Sequence, residues 1–63
     1  MSIGTKIQEL RTKNGLTQEQ FAEKLGVSRQ SVSKWEMEQS LPEIDKVILM
    51  SKLFTADINE LLL

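Results

Sequence analysis

Apolar residues recur along this chain at helical intervals, separated by short polar breaks. Ile3, Ile7 and Leu10 stand at i, i+4 and i+7 in IGTKIQELRTKNG, which puts them on one face of a helix, and Gly15 after Asn14 supplies its stop. Thr17 occupies an N-cap position with Gln20 three residues on, the spacing of a capping box, and Phe21 and Leu25 form the apolar stripe of a short second helix ending at Gly26. Ser28 is the next N-cap, and the segment to about Glu36 turns Val32 and Trp35 inward, predicting a third helix. Pro42, whose missing amide proton does no harm in a first turn, opens a fourth helix carrying Ile44, Val47, Ile48 and Leu53. Asp57 with Glu60 repeats the capping-box spacing ahead of Ile58, Leu61 and Leu62 and predicts a fifth helix. With no strand alternation, repeat or linker, the expected architecture is all-α: a compact five-helix bundle, one domain over residues 1–63.

Size and composition narrow the function. A chain of 63 residues buries only about 60% of the surface its unfolded form exposes, so its core must be economical. No apolar run approaches the ~18 residues of a membrane span, and no secretory signal pattern opens the chain, so a cytoplasmic location is expected. Zero Cys and zero His remove disulfides and the usual zinc ligands; no metal site or cofactor is expected. The commonest general base is absent too, and the nine carboxylates come without a Gly-rich phosphate loop or a nucleophile elbow, so the chain does not read as an enzyme.

The densest pattern is GLTQEQFAEKLGVSRQSVSKWE. Phe21, Leu25, Val27, Val32 and Trp35 are apolar anchors, Ala22 is small where backbones approach, and Gly26 stands where a turn needs positive φ. These are the demands of two helices crossing at about 90–120° through a turn of three or four residues. Together with the helix before it and LPEIDKVILMSKLF after it, the stretch resembles the phage-repressor or Cro-type (XRE-like) helix-turn-helix family, and the resemblance covers essentially the whole chain. It implies a lambda-repressor-like DNA-binding domain with helices 2 and 3 as the helix-turn-helix, about 17–36. The implied function is sequence-specific binding of double-stranded DNA by a transcriptional regulator acting as a repressor, with a recognition helix at about 28–36 in the major groove.

The side chains left over on that helix fit this role. Phe21, Leu25, Val32 and Trp35 read as core, whereas Arg29, Gln30, Ser33 and Lys34 face away from them as candidates for base readout. Arg pairs bidentately with guanine O6 and N7, and Gln with adenine N6 and N7. An Arg, a Gln and a Lys on a helix are ordinarily a solvated face, but here the charge is segregated. From Lys24 to Trp35 there are three cations and no carboxylate, +3, against −4 on the remaining residues and −1 overall. Thr17, Gln18 and Ser28, at the starts of the two helices, are the candidates for backbone contact, where free N–H groups and the helix dipole favour an anion. The resemblance implies that Gln18 clamps the DNA backbone, and that Arg11 and Glu36 form a structural ion pair linking the first helix to the end of the third. Two departures stand out: Glu38 in WEMEQSLP would repel a nearby phosphate, and Thr55 in LFTADINELL replaces a common turn glycine.

A sequence pI near 5.3 implies weak general attraction to DNA. Useful affinity then calls for a homodimer on a near-palindromic operator. Leu61, Leu62 and Leu63 either supply that dimer surface, or Leu61 and Leu62 complete the monomer core and Leu63 leads toward a further C-terminal domain. The competing reading is a protein-interaction module that keeps the fold without binding DNA.

Overall fold

The computed structural model describes residues 2–62, with side chains described up to Phe54. Its four helices are α1 (Ile3–Lys13), α2 (Gln18–Leu25), α3 (Arg29–Glu36) and α4 (Ile44–Leu62), with no strand among the described residues.

Each of the first three helices starts on a hydroxyl that satisfies an amide the helix leaves open. Ser2 Oγ accepts from Thr5 N at 3.1 Å and Ser28 Oγ from Ser31 N at 3.1 Å. At α2 the box is reciprocal: Thr17 Oγ1 accepts from Gln20 N at 3.0 Å, and Gln20 Oε1 accepts from Thr17 N at 2.9 Å. α2 ends on Gly26 at φ 70° and ψ 32°, where the Val27 amide donates to the Ala22 carbonyl at 3.0 Å. That left-handed residue reverses the chain within three residues and sends α3 across α2.

The core lies where the four helices face one another. Phe21, Leu25 and Val32 are the largest fully buried side chains, joined by Ile7, Ala22, Trp35, Met50 and Phe54. The rings of Phe21 and Phe54 stack at 5.6 Å between centroids, tying α2 to α4. Trp35, on the buried face of α3, is 5% exposed and belongs to this core. α1 crosses the end of α3 so closely that a Cβ on Gly4 would fall 2.5 Å from the Trp35 carbonyl oxygen and 2.8 Å from that of Glu36.

Three expectations need correction, all in the last third. α4 begins at Ile44, two residues beyond Pro42, which precedes the first turn instead of standing in it. The buried positions of α4 are Met50 and Phe54, while Ile44, Ile48 and Leu53 are 74%, 50% and 42% exposed. The stripe through Ile44 and Ile48 is real, but packing against α2 selects the adjacent row. The bundle also has four helices among the described residues, not five. Asp57 lies inside α4, because TADINEL holds neither Gly nor Pro to break the helix.

Candidate nucleic-acid interface

Residues three and four apart share a helix face, so Arg29 and Ser33 form one row of α3 and Gln30 and Lys34 the next. Val32 and Trp35 occupy the buried side, which leaves both rows facing outward. Arg29, Gln30 and Lys34 are exposed and Ser33 is half-buried; together with Met37 and Gln39 they line one shallow depression. Met37 and Gln39 were not singled out in the sequence, because they follow the helix and only the turn after Glu36 brings them back beside it.

The three residues assigned to backbone contact occupy helix starts. The hydroxyls of Thr17 and Ser28 accept capping bonds, and a hydroxyl that accepts can still donate outward. Gln18 is half-buried and its Nε2 donates to Glu36 Oε1 at 3.2 Å. Glu19 follows in the same first turn, where its charge favours the helix but opposes an anion.

Behind this surface Arg11 Nε donates to Glu36 Oε2 at 2.7 Å and Arg11 Nη2 to Glu36 Oε1 at 3.1 Å, a bidentate pair with side chains 13% and 6% exposed. Arg11 Nη1 also donates to the Leu16 carbonyl at 2.9 Å, which fixes the turn leading into α2. The Glu36 hydrogen bond, outweighing the desolvation that opposes it, holds the guanidinium above its ordinary pKa. With its pKa raised, Arg11 contributes this stability fully at every pH below its ordinary value and loses it only in stronger base.

Glu38 bears differently on the surface than its charge suggests. It sits at φ 64°, and its Oε1 accepts from the Gly4 amide at 2.7 Å. The carboxylate thus binds the N-terminal end of α1, where an anion is favoured. A Gly inside an amphipathic helix, costly without a reason, was the available signal for this close approach. No group of His, Cys, Asp or Glu among the described residues is arranged to hold a metal ion. No helix among them is long and apolar enough to cross a membrane.

Residues 7–61 match the family model described as helix-turn-helix. The chain is 47% identical over 62 residues to the HTH-type transcriptional activator BcrR of Enterococcus faecalis, covering 98% of this chain and 30% of that protein. It is 34% identical over 62 residues to the HTH-type transcriptional regulator ImmR of Bacillus subtilis, covering 98% of this chain and 49% of that one. An uncharacterized HTH-type transcriptional regulator of Archaeoglobus fulgidus shares 35% identity over 57 residues, 90% of this chain and 81% of the relative. No solved structure shows significant similarity.

Proposed function

The chain belongs to the helix-turn-helix family, a family of DNA-binding transcriptional regulators and not of enzymes, and from that premise we propose the docking by which it reads DNA. α3 lies in the major groove. Arg29, Gln30, Ser33 and Lys34 read base edges, while Thr17, Gln18 and Ser28 hold the backbone. The observation that carries this reading is the pair of outward rows on α3 over a face without a carboxylate.

The protein acts as a homodimer on a near-palindromic operator, with recognition helices about 34–36 Å apart. Two features support this: a net charge of −1, which makes single-domain attraction weak, and the exposure of Leu41 and Ile44 at 71% and 74%, apolar surface that a second copy would cover. The leucines Leu61 and Leu62, expected either to form that surface or to complete the monomer core, lie outside the residues whose side chains are described, as does Leu63. The chain spans about a third to a half of the length of BcrR and ImmR, and a further C-terminal domain belongs to this proposal. Repression by occupancy is the proposed mode, since it needs only the DNA contacts; activation, the role in the name of BcrR, needs an added protein contact. Its place is with the DNA, in the cytoplasm.

Selection of bound sites from random duplex DNA tests the docking. The selected sites are expected to be near-palindromic, and Arg29→Ala or Gln30→Ala to cost about 1–3 kcal/mol while relaxing preference at particular base pairs. Gln18→Ala weakens all sequences about equally. Unchanged selection and affinity in both α3 variants would overturn the docking.

A further inference from the structure

One carboxylate joins three helices. Glu36, at the end of α3, accepts from Arg11 of α1 through both oxygens, at 2.7 Å and 3.1 Å, and its Oε1 also accepts from Nε2 of Gln18, the first residue of α2, at 3.2 Å. We propose that Glu36 is a positioning residue for DNA binding: it sets the orientation of the Gln18 amide and thereby presents that amide's second N–H to a backbone phosphate.

This rests on the docking proposed above and assigns to the ion pair a role beyond holding helices together. A glutamine amide has two ends, and rotation about its last torsion exchanges acceptor for donor. Reversal here would set Gln18 Oε1 against a carboxylate oxygen that is nearly buried, two acceptors facing each other where water screens little. The nitrogen end is therefore held at Glu36. One of its hydrogens is committed to that carboxylate, which leaves the other to donate elsewhere, on a residue that opens α2, where the first backbone N–H groups have no acceptor within the helix. A side chain held by this bond in the free protein does not have to be frozen on binding. Arg11 completes the device. By neutralising Glu36 at 2.7 Å it lets a phosphate approach Gln18 without meeting an uncompensated carboxylate behind it. Its bond to the Leu16 carbonyl aligns the start of the same helix.

The test uses four proteins: the parent, Gln18→Ala, the paired replacement Arg11→Met with Glu36→Met, and the triple variant. Replacing both charges leaves no stranded ion and no change in net charge. Each is titrated with the selected duplex and with an unrelated duplex, and its melting curve is recorded. Gln18→Ala and the paired variant are each expected to lose roughly tenfold on both duplexes, and the triple variant to lose no more than either. Parent-like affinity in the paired variant, or losses that multiply to about a hundredfold in the triple variant, would overturn the role of Glu36. If Gln18→Ala binds like the parent while Arg29→Ala does not, the backbone clamp and this inference fall together and base readout stands. A measurement on the unmodified protein covers the case of a poorly folded variant. In 15N relaxation the Gln18 side-chain amide should be as restrained as the backbone, unlike the exposed Gln30 and Gln39; equal mobility of the three overturns the inference.

Discussion

Gly4 has a hydrogen for a side chain because α3 leaves room for nothing heavier. Replacing Gly by Ala in an exposed helix ordinarily stabilises by roughly 0.5–1 kcal/mol. Here the added methyl would meet the Trp35 and Glu36 carbonyls and Glu38 Oε1, so Gly4→Ala should destabilise by about 1–3 kcal/mol. For a domain of this size that is a fall of ~4–8 °C in melting temperature per kcal/mol, and an unchanged or higher midpoint would contradict the close approach. Glu38 is held in place by two opposed effects. Its left-handed conformation at φ 64° costs about 1–2 kcal/mol, and its charge-assisted bond to the Gly4 amide offsets that by a similar amount. Glu38→Ala keeps the strain and loses the bond, whereas Glu38→Gly loses both. Urea denaturation should therefore rank Ala as less stable than Gly at this position.

The second helix is an element whose two ends are set by single residues. Only eight residues long, Gln18–Leu25 has little stability of its own and depends on its caps and its buried face. Thr17→Ala removes the hydroxyl that accepts from Gln20 N while keeping the backbone amide that donates to Gln20 Oε1, and should cost about 0.5–2 kcal/mol, with faster hydrogen exchange confined to the first turn of α2. At the other end a Cβ on Gly26 would meet nothing within 4 Å, so the cost of Gly26→Ala is purely that of its φ of 70°, ~1–2 kcal/mol. Gly26→Asn should cost less, because Asn tolerates this region better. If Gly26→Ala and Gly26→Asn melt alike, the turn has relaxed away from the left-handed conformation.

Across the whole molecule the largest single liability is the Arg11–Glu36 pair. Removing one partner leaves the other charge nearly buried and alone, at a cost of about 3–5 kcal/mol, a large part of the ~5–15 kcal/mol that holds a folded domain together. Arg11→Met and Glu36→Met should each melt far below the parent, and their combination should recover much of the loss. Singles within a degree or two of the parent would mean that the pair contributes little. The same pair sits directly behind the proposed reading surface, so stability and DNA affinity are expected to vary together in any variant that strands one charge.

What was legible in the amino-acid order was local. Ser28 and Thr17 as caps, Gly26 as the reversal and the Phe21, Leu25, Val32, Trp35 core all follow from partners within a turn or two or from helical period, and the charge segregation of Lys24 to Trp35 is a property of the order itself. The pairing of Arg11 with Glu36 was reached through family resemblance, since a separation of 25 residues says nothing about proximity. Beyond reach were the contacts created by how helices cross. Glu38 reaches Gly4 across 34 residues and Gln18 reaches Glu36 across 18, and both required the finished packing of α1, α2 and α3. The same holds for α4, where two apolar rows lie side by side. Periodicity recognises both rows, but only the position of Phe21 beneath Phe54 decides which one faces the core. A capping hydroxyl finds its amide within one turn, whatever the rest of the chain does, whereas a side chain's partner on another helix is decided only when the helices meet.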